Sequence, residues 1–519
     1  MQTQSYPFRI KELGRVKEVR KFIVKIEGFP SCMNGQLVSF PGGTKGLVMG
    51  FNEREALAII LGYEGSVRIG DIVEAQSQAF TVPVNDSLPG RIITALGKPC
   101  DEKGPIAVSG FLRLAANADS LTAHTSYCPV FTEAPSAMER SDVHEQLETG
   151  VKMVDMFVPL AKGQRILIFG DRMSGKTSLA TDAIINQKDK DVVCVYCSIG
   201  KSYFSLLRVV QLLKKHRALD YTVVVAAGAA SSCGEQYLAP YTATAVAEYF
   251  MNKGKDVLLV MDDLTKHAWA YRQLSLLLER PPGREACPGD IYYIHAQLLE
   301  RSGKLIDEKG GGSITSLVLA DTLQGDISSY IPSNFVSMLD GQIYLSTTLF
   351  GDGFKPAIDF GLSISIMGGK IQHPAIKEFT QRIRIEYAQY RELLRLMKLK
   401  STLSSEAEAK IKRGETITEL LKQQRSSPVS QAEQIILLYA LEKGMLDKLS
   451  SQQLKTFKND FFSFVQKEEP EIVRLLEERQ PLDNKSAALI EKVLQDFFVQ
   501  IAVSFKIQPQ PAQAIPVGV

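Results

Sequence analysis

Gly170-Asp171-Arg172-Met173-Ser174-Gly175-Lys176-Thr177 fits the pattern G-x-x-x-x-G-K-[ST], follows an apolar strand-like run at 164–169, and opens a helical pattern over 177–186. Spacing and context are those of a phosphate-binding loop. Glycines let the backbone wrap a phosphate, so that successive N–H groups and the positive end of a helix face it. Lys176 adds a point charge for the outer phosphates, and Thr177 offers a hydroxyl to magnesium. All eight residues are therefore assigned to binding a nucleoside triphosphate. Further on, Asp256-Val-Leu-Leu-Val-Met-Asp-Asp263 is an apolar strand ending in two carboxylates, where a P-loop protein places its magnesium partner. Alone, such an ending is more often a solvated turn or a helix cap. Behind a P-loop the metal reading prevails, with Asp262 the better placed of the two.

Outward from the loop, strand-like runs at 164–169, 191–198, 221–227 and 257–261 alternate with helical patterns at 203–214 and 241–252. That alternation predicts a parallel sheet wound with helices. Before it, short β-type runs at 20–26, 36–39, 46–50 and 56–61 are separated by Gly, Pro and Asn, which suggests a small barrel. Beyond about Ile376 helical periodicity takes over, as in 386–396 and 431–441, and a Pro- and Gln-rich tail at 508–519 reads as disordered. The predicted fold is multidomain: an N-terminal β barrel (1–87), a central α/β P-loop nucleotide-binding domain (88–375) and a C-terminal all-α domain (376–507).

Bulk composition agrees. At 519 residues, the chain suggests roughly three domains of about 150 residues each. Sixty basic against 58 acidic residues give a net charge of +2, no global footprint for nucleic acid or acidic lipid. Seven scattered cysteines do not form a disulfide framework. Cys194 and Cys197 have C-x-x-C spacing but lie in a strand, where residues three apart point to opposite faces, so a structural role is favoured over redox or metal chemistry. The longest apolar runs are far below a membrane span, and residues 1–22 mix Arg and Lys with Glu and do not read as a secretory signal.

Several blocks resemble the alpha subunits of F-type ATP synthases almost word for word. They include Asn186-Gln-Lys-Asp-Lys-Asp191, Asp262-Asp-Leu-Thr-Lys-His-Ala-Trp-Ala-Tyr-Arg-Gln273, Leu276-Leu-Leu-Glu-Arg-Pro-Pro-Gly-Arg-Glu-Ala286, Gly310-Gly-Gly-Ser-Ile-Thr-Ser316, Pro356-Ala-Ile-Asp-Phe-Gly-Leu-Ser363 and Ala388-Gln-Tyr-Arg-Glu-Leu393. The resemblance spans roughly residues 10–505. It implies a RecA-like central domain that binds ATP or ADP with Mg2+ (Thr177 and Asp262 on the metal, Gln423 beside the nucleotide). It also implies alternation with three catalytic beta subunits around a gamma shaft, a peripheral stalk, and a membrane sector whose proton or sodium flow drives ATP synthesis. Localisation would be peripheral, on the cytoplasmic face of the cell (inner) membrane. Catalytic relatives carry a Glu just after the strand that follows the P-loop helix, to position the attacking water. Here Ser198-Ile-Gly200 is followed by Lys201, which cannot act as that carboxylate, so nucleotide should be held rather than turned over.

Departures from the family matter as much. Ser363 matches a family serine required for activity, although a small residue packed at an interface would look the same. Three residues on, where the family places an arginine finger that reaches the neighbouring beta site, stands Ile366; no arginine occurs between Arg301 and Arg382. Lys370 is the nearest substitute cation. Met173 and Lys201 replace family glutamines, Lys355 an arginine, and Arg425 a second glutamine beyond Gln423. The chain starts close to the barrel, without most of the helix that usually meets the delta subunit, which puts that contact in doubt; this looks like a second, divergent F-type enzyme. Two rivals remain. A self-sufficient hexameric motor would need its own glutamate and finger. A degenerate alpha-like scaffold would hold nucleotide without energy coupling.

Overall fold

The computed structural model describes residues 12–62, 65–106, 126–397, 405–447, 449–477 and 484–507. Residues 1–11 and the tail expected to be disordered lie outside the described residues. Six strands, Leu13–Arg20, Ile23–Glu27, Gln36–Ser39, Lys45–Phe51, Glu55–Leu61 and Ile72–Ala79, close into an antiparallel barrel. Val16, Val24, Ile26, Val38, Val48, Ala58, Ile60 and Val73 form one buried cluster within it. Alternate residues Leu37, Leu47, Ile59 and Leu61 join the core of the next domain, as the period of two in a strand requires. The run read as one strand at 20–26 is instead a hairpin, with Arg20 opposite Ile23 and Lys21 at φ +51°. Neither Lys21 nor Phe22 is a turn residue, so nothing local announced the reversal.

Behind the barrel lies an eight-stranded sheet in the order Ile364–Ser365, Gly341–Leu345, Arg165–Gly170, Ser313–Asp321, Asp256–Asp262, Val192–Lys201, Thr222–Gly228 and Ile92–Thr94. All neighbours are parallel except the edge strand Ile364–Ser365. Its interior strands are β-branched and aliphatic and buried on both faces, as helix-covered parallel strands must be. Cys194 and Cys197 enter different hydrophobic clusters on opposite faces, and burial pushes both thiols up. They pack rather than react.

The helix expected at 241–252 runs over Cys233–Met251 and starts with a Ser232/Glu235 capping box. Gly234 and Pro240 argued locally against the earlier start. Tertiary packing overrides them: a Cβ at Gly234 would lie 2.8 Å from both Ile59 and Leu61, so the glycine is where barrel and helix meet. From this helix Glu248 receives Arg301 through paired bonds of 2.7 and 2.6 Å, while a third guanidinium nitrogen donates to Val130 O at 2.8 Å. Arg301 is 1% exposed. Arg301→Met is expected to cost about 3–5 kcal/mol by stranding a buried carboxylate, read as a lower urea midpoint. Adding Glu248→Gln should recover part of the loss, and additive effects would show that the pair is not coupled.

The C-terminal domain is helical, from Pro374–Met397 to Asn484–Ile507. Lys152 and Gln423 are among the side chains that join it to the central domain near the loop. Buried Lys152 donates its ammonium to Leu420 O and to Lys422 O (3.1 Å). Gln423 accepts from Lys152 N at 2.9 Å and donates to Gly150 O at 2.7 Å.

Candidate nucleotide site

The loop leaves the strand Arg165–Gly170 at the carboxyl edge of the sheet and enters the helix Lys176–Ile185. Gly170 and Gly175 adopt φ of +151° and +107°. A Cβ on Gly170 would sit 2.4 Å from Leu345 O, so only glycine fits there. Asp171 secures the loop by accepting from Thr322 Oγ1 (2.6 Å) and Gly325 N (2.8 Å). Lys176, 7% exposed, donates to Gly170 O and Asp171 O at 2.7 Å each and pairs with Asp321 at 3.0 Å. Arg172, pairing with Asp321 at 3.4 Å, and Met173, 92% exposed, project from the loop.

Two cavities flank the loop and share Gly175 and Ser178. One, of about 480 Å³, is lined by Arg172, Lys176, Thr177, Lys201 and Lys266, with Asp263 and Asp321 its acids and no glutamate in its wall. Four cations at the positive end of a helix suit a triphosphate. The other, of about 500 Å³, has an apolar side from Val151, Leu179, Phe350 and Pro356 and a polar rim that includes Lys355, Gln423 and Arg425. That shape and chemistry suit a purine base. Gln423 is part of this wall, yet its amide is already taken up by Lys152 N, Gly150 O and Ser427 O. Asp182, in the same wall, is pushed up to about 6 by burial despite the bond it accepts from Ser426 N.

Thr177 and Asp262 do meet: Thr177 Oγ1 donates to Asp262 Oδ2 at 2.8 Å, and Tyr196 Oη donates to the same oxygen at 2.7 Å. A third group stands with them. The Lys201 ammonium pairs with Asp262 Oδ1 and lies 3.1 Å from Thr177 Oγ1. Magnesium needs near-octahedral oxygens at about 2.1 Å and keeps several waters. Here both carboxylate oxygens are engaged, and an ammonium lies against the threonine and the aspartate. A divalent ion and an ammonium about 4 Å apart repel by roughly 8 kcal/mol at an effective dielectric of about 20. With Lys201 in place the residues do not fit the metal. Asp263, 3% exposed, caps the next helix through Lys266 N at 3.0 Å, and burial, aided by Asp321 and Asp262, pushes its carboxyl up to about 6.

Ser363, Ile366 and Lys370 lie elsewhere, around the sheet-edge strand Ile364–Ser365. Ser363 is fully buried and its hydroxyl accepts from Tyr344 N at 3.0 Å. Ile366 is 70% exposed, and Leu362 and Ile364 also present apolar surface on this edge. Lys370 is exposed, in the short helix Gly368–Ile371.

Sequence reasoning missed Asp321, which pairs with both Lys176 and Arg172. An apolar strand ending in Asp at 321 was the available signal. Sequence reasoning marked Lys201 only as unable to replace a carboxylate, whereas the strand Val192–Lys201 carries it into the site and onto Asp262.

A P-loop at the carboxyl edge of a parallel sheet, between a β barrel and a helical domain, defines a nucleotide-binding subunit of the ATPase class. The sequence profile described as the ATP synthase alpha/beta family, nucleotide-binding domain, matches residues 150–365, and that of the ATP synthase alpha/beta chain, C terminal domain, matches residues 372–497. The chain is 40% identical over 496 residues to the protein named ATP synthase subunit alpha of Clostridium botulinum strain Alaska E43 / Type E3, covering 95% of each chain. The same figures hold for its counterpart in strain Eklund 17B / Type B. The chain belongs to the family of ATP synthase alpha subunits.

Proposed function

We propose that the chain is the regulatory, non-catalytic alpha subunit of an F-type complex, binding ATP or ADP through Gly170 to Thr177 and holding it without turnover. One observation carries this: the phosphate-side cavity holds four cations and no glutamate, and Lys201 stands where a water-positioning carboxylate is needed. The 88–375 region supplies the phosphate and base walls, and the 376–507 region contributes Gln423 and Arg425 to the base wall.

In this reading the chain alternates with beta subunits around a gamma shaft, joined to a peripheral stalk and a membrane ion-translocating sector. It lies against the membrane through those partners; among the described residues no helix is long and apolar enough to cross one. The exposed apolar edge at Leu362, Ile364 and Ile366 suits a neighbouring subunit. Ser363 shapes that edge from within through Tyr344 N, and Ile366 occupies the finger position of the beta site.

Titrating the purified full chain with a fluorescent ATP analogue, while phosphate release is followed, tests the reading. Saturable binding without turnover is expected. Steady phosphate release by the chain alone overturns it.

A further inference from the structure

We propose that Lys201 is a built-in cation in magnesium's place, so that this site takes a nucleoside triphosphate free of divalent metal. The inference rests on the nucleotide-binding reading above and specifies the form of the ligand.

Three observations converge on Lys201. Its ammonium contacts both members of the pair that would hold a metal, Asp262 and Thr177. Asp262 is 1% exposed, its second oxygen accepts from Thr177 and Tyr196 and its first pairs with Lys201, so a metal held by Thr177 and Asp262 would have to displace the ammonium. The backbone around Lys201 is also built for this direction. Pairing of the strands Val192–Lys201 and Thr222–Gly228 shifts register between Ile199 and Lys201, with Gly200 at φ +58°. Such a bulge re-aims the side chain that follows it. Ala229 N then donates to Lys201 O at 2.8 Å, and the Lys266 ammonium donates to Gly200 O at 3.0 Å.

The chemistry follows from an ammonium's three N–H groups. One faces Asp262 and one Thr177, which leaves the third for an outer phosphate oxygen in the cavity it lines. A magnesium ion bridges two phosphate oxygens and adds charge +2; a lysine donates as a point charge of +1 and carries no coordinated water. Lys176, Arg172 and Lys266 line the same cavity and supply further positive charge.

Binding of a fluorescent ATP analogue to the full chain, in excess EDTA and in excess magnesium, decides the matter. Wild-type affinity should be no tighter in magnesium than in EDTA, because magnesium sequesters the metal-free nucleotide the site takes, whereas Lys201→Gln should bind at least about tenfold tighter with magnesium. A wild-type chain that binds at least about tenfold tighter with magnesium overturns the inference while leaving the nucleotide-site reading intact. Absence of binding in both buffers overturns that reading, and the inference with it. Because Lys201→Gln can fail to fold, a second measurement uses wild-type protein only: the electron paramagnetic resonance signal of Mn2+ with ATP. Manganese left in solution as nucleotide binds is the expected result, and manganese carried into the protein complex overturns the proposal.

Discussion

Replacing Ile366 with arginine should raise ATP hydrolysis by a complex of this chain with the beta and gamma subunits proposed as its partners by about 10³-fold or more, the usual worth of an arginine finger. The proposed reading places Ile366 where the family resemblance implies an arginine that stabilises charge on the phosphoryl group transferred in the adjoining site. An apolar side chain contributes none of that stabilisation. The substitution should fold, because Ile366 is 70% exposed and fixed through its backbone N, which donates to Asp340 O at 3.1 Å. Surface changes of this kind usually cost within about 0.5 kcal/mol, so a thermal melt serves as the control. Brisk turnover by the unaltered complex, with little change in Ile366→Arg, would instead show that another cation supplies the charge. Lys370→Ala then asks whether the exposed lysine four residues on is that cation.

Lys176→Ala should weaken ATP binding by about 100-fold or more, from two additive causes. The first is loss of a charged donor to the outer phosphates; hydrogen bonds to charged groups contribute about 1.5–3 kcal/mol each. The second is electrostatic. Asp321 pairs with Lys176 at 3.0 Å and with Arg172 at only 3.4 Å, so without the lysine a poorly compensated carboxylate faces the triphosphate. The double variant Lys176→Ala/Asp321→Asn should therefore regain part of the affinity, and isothermal titration of the three proteins separates the two causes. Unchanged affinity in Lys176→Ala would mean that nucleotide does not seat on this loop.

Much of this molecule is legible along the chain because its signals are local. Eight contiguous residues carry the P-loop, and the strand before and helix after it were placed within a residue or so of Arg165–Gly170 and Lys176–Ile185. The apolar runs that alternate with helical periods named the parallel sheet, since strands buried on both faces must be apolar throughout. What failed locally failed where packing overrides propensity. The hairpin at Lys21 carries no turn residue, and the helix Cys233–Met251 begins among a glycine and a proline because Gly234 lets it seat against the barrel.

By itself, then, the sequence determined the class of fold, the phosphate loop, a lysine rather than a glutamate after Ser198-Ile-Gly200, a stretch without arginine between Arg301 and Arg382, and the resemblance to alpha subunits. Tertiary structure alone decided what Lys201 does. Strand Val192–Lys201 lies beside Asp256–Asp262, with Ser198 in register with Asp262, and a bulge at the strand's end turns the lysine onto that carboxylate. The partners are 61 residues apart, and no local pattern encodes a contact made only when parallel strands pair across a helical crossover.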